Sequence, residues 1–385
     1  MQTTVIDNKQ MQTAYSRSNP ISAKVLKNVN INGDGSNKET RHLELSLKGS
    51  GLSYIPGDAL GIFPNNDPEL VATLLEEMKW DPEIEVTINK QGDTLKLKEA
   101  LTSYYEITFL TKKIMLQAAE LIDNEALNEL LKNGDQTKEY CNGRDLLDML
   151  RDFGPWKASA QDVVLTLRKM TPRLYSIASS MTAHPNEVHL TIVAVRYDAH
   201  NRERKGVCSV MVAERARVGD TLQVFVQPNK HFHLPEPDKD IIMVGPGTGI
   251  APFRSFIEEY AALKATGRTW LFFGDQHETC DFLYKGELEQ YMKEGVLTKL
   301  DTAFSRDQDE KVYVQHKMLE KSKVIFQWLE NGAYFFVCGD KQRMAKDVNT
   351  TLIDVIEKEG NMSREGAEVY LNNLQKQGRH LRDVY

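Results

Sequence analysis

The sequence predicts two fold classes in series: an antiparallel β-barrel split by a helical insertion, followed by a parallel α/β domain. Three observations predict it. Short β-branched and aromatic runs occur before residue 66 and again after residue 154, apolar residues at helical spacing fill the stretch between, and strands alternate with helices from residue 236 onward. The chain of 385 residues is long enough for two or three separate cores.

Residues 1–18 are polar and unpatterned, which predicts a flexible N-terminal segment. From Pro20 the runs AKVLKNVNI and HLELSL read as strands separated by the turn-rich INGDGSN, and SYIPGDALGIFP follows; residues 19–66 are thus half of a barrel. Asp67 can cap a helix, Pro68 suits its first position, and LVATLLEEM continues it. TKKIMLQAAELI and EALNELLKN keep the helical period, so residues 67–153 form a connecting insertion. RLYSIASS, VHLTIVAV and TLQVFVQ then resume the barrel over residues 154–235. Pro228, Pro235 and Pro237 mark a boundary. Beyond it IIMVG, PFRSFIEEYAALKATG, WLFFGD, GELEQYMKE, KLDTAFS, YFFVCGD and QRMAKDVNTTLIDVIEKEG alternate as a parallel α/β domain over residues 236–385.

Composition narrows the function. Hydrophobic residues make up 41% and charged residues 27%, ordinary globular usage, and the net charge of −7 disfavours nucleic acid as a general partner. No apolar run approaches the roughly 18 residues of a membrane helix, and the opening MQTTVIDNKQ lacks the apolar centre of a secretory signal. Cys141, Cys208, Cys280 and Cys338 are widely spaced, so no metal site is expected. A reduced, cytoplasmic protein without a membrane partner is the expectation.

GPGTGIAPFRSF, Gly245–Phe256, lies between a strand and a helix, where glycines let the backbone approach a phosphate and the helix start offers free N–H groups. It does not match G-x-G-x-x-G, so a standard Rossmann site is not indicated. In SRDQDEKVYVQ, Ser305, Arg306, Lys311, Tyr313 and Gln315 follow a strand end. Arg306 can grip a 2′-phosphate with two parallel hydrogen bonds, Lys311 adds charge, and Tyr313 can stack on adenine. RLYS with GVCS offers a second anion site, through Arg173 and the Gly206–Ser209 turn.

RLYSIASS, VRYD, GVCS, GPGTGIAPFRSF, FFGDQHE, FSRDQDEKVYVQ, VCGDKQRMAKDV and the closing RDVY stand in the order of the ferredoxin–NADP⁺ reductase superfamily. The wording is most similar to the diflavin reductases, in the branch that serves sulfite reduction, and the resemblance covers roughly residues 20–385. It implies an FAD-binding barrel, a helical connecting domain and an NADPH-binding domain. It also implies that Arg173, Leu174, Tyr175 and Ser176 line FAD, with Arg173 on the pyrophosphate and Tyr175 against the ring. Thr191, Ile192, Val193 and Tyr197 would serve the adenosine, Gly206, Val207, Cys208 and Ser209 the phosphates, and Thr108 is a further contact. Cys208 stands where that motif commonly has alanine. For NADPH the matching positions are Gly247, Thr248, Gly249, Ser305, Arg306, Lys311, Tyr313, Gln315 and Asp347.

Ser176, Cys338 and Asp383 resemble the family's hydride-transfer residues, and Tyr385 an aromatic lid on the flavin. Nothing before Pro20 resembles the FMN domain of diflavin proteins, so FMN is not expected in this chain; its partners would be an FMN-binding flavodoxin-like protein or domain and a sulfite reductase haemoprotein. The alternatives are a general reductase module for flavodoxin or a cytochrome, and a non-catalytic nucleotide-binding regulatory subunit.

Overall fold

The computed structural model describes residues 15–385. Of the expected flexible segment, residues 1–14 lie outside the described residues, and Ser16 and Asn19 exchange two backbone hydrogen bonds of 2.9 and 3.0 Å. The chain divides into two compact units. One holds the described residues up to Gly61, Leu174–Val193 and Arg217–Tyr385; the other holds Ile62–Arg173 and Ala194–Ala216.

Strands are numbered along the chain: β1 (Ile21–Asn30), β2 (Thr40–Ser46), β3 (Ala59–Ile62), β4 (Glu85–Thr87), β5 (Thr94–Lys96), β6 (Arg173–Ser176), β7 (Glu187–Val193), β8 (Arg196–Ala199), β9 (Arg202–Lys205) and β10 (Thr221–Gln227). β11 (Ile241–Val244), β12 (Thr269–Asp275), β13 (Lys299–Phe304), β14 (Tyr334–Gly339) and β15 (His380–Val384) complete the set.

Six strands form one sheet in the order β6-β3-β10-β1-β2-β7, antiparallel across β10, β1, β2 and β7. In β1 the buried Ile21, Ala23 and Val25 alternate with exposed Ser22, Lys24 and Leu26, as a half-buried strand requires, until a bulge shifts the register between Val25 and Lys27. Ile177, just beyond β6, bridges Leu190 of β7.

The second sheet is parallel, in the order β13-β12-β11-β14-β15. Its central strand is buried on both faces: Ile242 and Val244 join a core with Trp270, Phe272 and Val337, while Ile241 and Met243 join another with Leu271, Phe273 and Phe336. Because β11 pairs with β12 on one side and β14 on the other, the strand order reverses at its C-terminal end, the place where open α/β sheets bind ligands. HLRDV, read in sequence only as part of a closing motif, is the edge strand β15.

The helical unit has its own core, in which Leu74, Leu97, Met115, Leu127, Met149 and Val164 are buried. The predicted first helix runs Pro68–Glu77, with Asp67 accepting a hydrogen bond from the Glu69 amide. Within the region expected to be helical, β4 and β5 form a small hairpin whose turn is fixed by Asn89 Oδ1, which accepts from the amides of Gln91 (3.0 Å) and Asp93 (3.1 Å). β8 and β9 form another, turned by His200 and Asn201, both at positive φ. No helix among the described residues is long and apolar enough to cross a membrane.

Candidate functional site

Three concave sites hold most of the residues singled out from the sequence. In the helical unit, a cavity of about 490 Å³ is lined by Thr108, Arg173, Tyr197, Gly206 and Val207. Arg173 donates to Glu106 Oε2 at 2.8 Å and to the Thr171 hydroxyl at 2.9 Å, and Thr108 also bonds Glu106, so the fully buried Glu106 fixes both. Cys208 and Ser209 start the helix Ser209–Arg215 and do not line the cavity; Ser209 Oγ accepts from the Val195 amide at 3.2 Å. A Cβ on Gly206 would lie 2.5 Å from that hydroxyl oxygen and 3.1 Å from Val195 Cβ, so any larger residue there would displace the Ser209 side chain.

Beyond Arg173, sequence reasoning missed the arginines of this cavity. Arg202 and Arg204 both pair with Asp145 and Asp148, and the buried Arg204 Nε has no hydrogen-bond partner among the described residues. Arg215 donates only to neutral acceptors in the bonds described, the carbonyls of Asn66 (2.9 Å) and Asn65 (2.8 Å). Arg215, which in the bonds described donates to backbone carbonyls alone, leaves this polar cavity a cation that suits a phosphate-bearing ligand.

The second site lies in the other unit, beside the turn after β11. Gly247 takes a φ of +57°, a Cβ on Gly245 would lie 2.4 Å from the Gly249 carbonyl oxygen, and one on Gly249 would lie 2.2 Å from that of Cys338. Only glycines allow this turn to pack so close to the end of β14. A cavity of about 450 Å³ opens there, lined by Gly247, Ser305, Tyr313, Gln315 and Asp347, as well as by Lys38, Asp275 and Arg343. Arg306 and Lys311 are exposed and stand outside that lining.

The third is a cleft of about 540 Å³ in the same unit, lined by Leu174, Ser176, Asp383 and Tyr385. The parallel register of β14 and β15 sets Cys338 opposite Asp383. Asp383 Oδ2 accepts hydrogen bonds from Ser176 Oγ at 2.6 Å and from Cys338 Sγ at 3.9 Å. Burial raises the Asp383 carboxyl above its ordinary value, although its two hydrogen bonds pull it back. Burial first, and the Asp383 charge second, push the Cys338 thiol well up, so it stays protonated near neutral pH. Tyr385 is 63% exposed, and its hydroxyl lies 2.9 Å from that of Thr248, in the glycine turn.

The remaining FAD candidates fall elsewhere. Thr191 is buried with its hydroxyl 2.7 Å from that of Tyr284, Ile192 is buried, and Tyr175 and Val193 are half-buried. One arrangement had no signal in the sequence: His184, His189 and Glu258 come close enough to suit a metal ion. Arg254 already bonds Glu258 at 2.9 Å and faces His189 Nδ1 at 3.4 Å, so a cation is in place there.

An antiparallel sheet followed by a five-stranded parallel sheet, with a glycine turn at its switch point, defines a two-part nucleotide-binding protein. Residues 13–211 match the family described as FAD binding domain, and residues 243–350 match the one described as Oxidoreductase NAD-binding domain. The chain belongs to the FAD binding domain family. It is 62% identical over 377 residues to the sulfite reductase [NADPH] flavoprotein alpha-component of Bacillus subtilis (strain 168), covering 97% of this chain and 62% of that protein. The protein of the same name from Vibrio cholerae serotype O1 (strain ATCC 39315 / El Tor Inaba N16961) is 46% identical over 375 residues, covering 97% and 61%. The one from Aliivibrio fischeri (strain ATCC 700601 / ES114) is 46% identical over 374 residues, covering 96% and 61%. The chain therefore spans about three fifths of the length of these curated relatives.

Proposed function

We propose that the chain is an NADPH-dependent FAD flavoprotein reductase of the cytoplasm, an enzyme that passes electrons to an FMN-binding flavodoxin-like protein or domain. From there they would reach a sulfite reductase haemoprotein that reduces sulfite to sulfide. The observation that carries this reading is the end of the chain: β15 brings Asp383 to Ser176 and Cys338, and the next residues bring an uncovered aromatic ring to the glycine turn. The names of the relatives support the acceptor. The domain division that goes with it is an FAD barrel of residues 19–66 and 154–235, closed with the help of the Ile177–Leu190 bridge, a connecting domain of residues 67–153 and an NADPH domain of residues 236–385.

The residues present fit both cofactors. Arg173, Thr108, Tyr197 and the Gly206–Ser209 turn would hold the phosphates and adenosine of FAD, with Thr191, Ile192 and Val193 as further adenosine contacts; Leu174, Tyr175, Ser176 and Tyr385 would hold its ring. The glycine turn from Gly247 to Gly249, with Ser305, Arg306, Lys311, Tyr313, Gln315 and Asp347, would hold NADPH. FAD, when bound, takes up a hydride equivalent and gives its electrons up one at a time. The chain supplies alignment: Ser176 and Cys338 keep the Asp383 carboxylate in place, and that charge favours the positive nicotinamide left after hydride departure. Cys338, held as a thiol, acts as a hydrogen-bond donor and not as a nucleophile. Tyr385, with its ring exposed beside the glycine turn, would supply an aromatic cover for the flavin ring.

The purified protein should be yellow from FAD, should bleach with NADPH in the absence of oxygen, and should form sulfide only when the FMN protein and the haemoprotein are added. FMN in place of FAD, or no bleaching, would refute the proposal. Reduction of flavodoxin or a cytochrome, with no sulfide formed when the FMN protein and the haemoprotein are present, would favour the general reductase module. Arg306→Ala should weaken NADPH binding by roughly tenfold or more and NADH binding hardly at all, since a hydrogen bond to a charged group contributes about 1.5–3 kcal/mol; titration of both nucleotides checks it, and equal weakening removes the 2′-phosphate assignment. Tyr385→Ser should lower the preference for NADPH over NADH up to about tenfold, the equivalent of an aromatic stacking contact of about 0.5–1.5 kcal/mol. An unchanged ratio of kcat/KM values would make Tyr385 a structural anchor.

A further inference from the structure

FFGDQHE and FSRDQDEKVYVQ stand out in the sequence, yet His277 and Asp307 within them have no part in the function given above. The structure joins the two motifs. β13 pairs with β12 as far as Phe304 opposite Asp275, and the ladder then runs past the strand ends. The Ser305 amide donates to the Asp275 carbonyl at 2.9 Å, and the Arg306 amide donates to that of Gln276 at 2.9 Å. Ser305 and Gln276 line the nucleotide cavity, so the Arg306 side chain starts from its rim.

The next residue is gripped from the same side. Asp307 Oδ1 accepts from His277 Nδ1 at 2.8 Å, and Oδ2 accepts from the Glu278 amide at 2.8 Å. These bonds, the Glu278 amide first and His277 second, hold the Asp307 carboxyl below its ordinary value. A carboxylate only accepts, so His277 carries a proton on Nδ1. His277 is itself fixed, because its amide donates to Oδ2 of the buried Asp281 at 3.1 Å. On the far side, Gln308 Nε2 donates to the Phe304 carbonyl at 2.6 Å. Residues 305–313 carry no helix or strand, so bonds of this kind set their course.

We propose that His277 and Asp307 are positioning residues for the choice of NADPH over NADH: they hold the Ser305–Arg306 turn where it receives the 2′-phosphate, and neither touches the nucleotide. The inference rests on the 2′-phosphate reading of Arg306 given above and deepens it. A turn ordered before the ligand arrives loses less entropy on binding. The pairing also removes a conflict. A free carboxylate beside Arg306 would repel the phosphate or take the guanidinium for itself, whereas both Asp307 oxygens are occupied by donors from the neighbouring segment.

Steady-state kinetics with NADPH and NADH test it on the FAD-loaded protein, together with calorimetric titration of 2′-AMP, which carries the 2′-phosphate alone. His277→Ala and Asp307→Ala should each lower kcat/KM for NADPH about three- to tenfold, through KM with kcat nearly unchanged, and weaken 2′-AMP by a similar factor. The values for NADH should stay within about twofold of the parent. His277→Asn keeps an N–H donor at the Nδ1 position and should retain the parent preference. Added to Arg306→Ala, His277→Ala should cost less than about twofold more, because the pair acts through Arg306. Unchanged NADPH kinetics, equal losses with both nucleotides, a loss in His277→Asn as large as in His277→Ala, or full additivity with Arg306→Ala overturns the assignment. The 2′-phosphate reading stands or falls separately, on whether Arg306→Ala alone distinguishes NADPH from NADH. Both side chains are 34% exposed, so the variants should fold, and their FAD content and NADH rates report it.

Discussion

Asp383→Asn is expected to slow NADPH-dependent flavin reduction by about a hundredfold while leaving NADP⁺ affinity within about twofold. Asparagine keeps the shape and can still accept from Ser176 Oγ, at 2.6 Å in the parent, but it removes the charge. Losing one preorganised electrostatic partner of a transition state typically costs about 10²–10³ in rate. In the role proposed for Asp383 the contact is to charge that develops during hydride transfer, so the loss should appear in the rate and not in binding. The pH profile gives an independent signature. Because burial raises the Asp383 carboxyl, the parent should lose activity as pH falls toward that raised value, and the variant should lack this limb. A raised carboxyl also means that the native state disfavours the charge, so its stability contribution is lost as pH rises through the folded value. Asp383→Asn should accordingly be at least as stable as the parent near neutral pH. Anaerobic single-turnover absorbance with calorimetry checks both points, and a variant that keeps the parent rate would remove Asp383 from the mechanism.

The parts of the fold legible in the sequence are those with a local cause. IIMV followed by GPGTG and an apolar helix announces a buried parallel strand and its ligand-side turn, since every residue involved lies within one short stretch. Asp67 and Pro68 announce the first helix for the same reason. By contrast, β4 and β5 have three residues each, too few for alternation to show against a helical background. β15 is a half-buried edge strand, so its pattern is weak, yet it sets the register that carries Asp383 to Cys338.

The same division holds for the sites. Periodicity could not bring Ser176, Cys338 and Asp383 together, because nothing local couples positions so far apart along the chain; resemblance supplied them, and β-sheet register explains them. Lys38, Arg202, Arg204 and Arg215 look like ordinary surface charges in the sequence. Their cavity positions depend on tertiary docking of a loop, a hairpin and a helix end. Arg306 and Lys311 are the opposite case: their motif is conspicuous in the sequence, while both stand outside the cavity lining, so the Arg306→Ala titration tests their part in binding.

Arg254→Met is expected to destabilise the protein by about 3–5 kcal/mol, as removal of one partner from a buried ion pair does. Arg254 sits in the helix Ile250–Leu263 and bonds Glu258 at 2.9 Å, Glu287 at 2.7 Å and the Ala178 carbonyl at 2.6 Å. Glu287 is 44% exposed at its side chain and can turn to water, whereas Glu258 is 2% exposed, so Glu258 carries most of the cost. The surrounding histidines set the pH dependence. Burial first, and then the Arg254 charge, hold the His42 imidazole below its ordinary value and that of His189 at about 2. In the parent these rings stay neutral in the fold but take protons in the unfolded chain below about pH 6.5, so stability falls as pH drops through that region. Without Arg254 the two rings lose a neighbouring positive charge and are easier to protonate. The deficit of Arg254→Met should therefore be larger near pH 8 than near pH 6, a narrowing that simple loss of packing does not produce. Denaturant unfolding of both proteins at the two pH values measures it, and a deficit independent of pH would show that the histidines do not answer to the Arg254 charge.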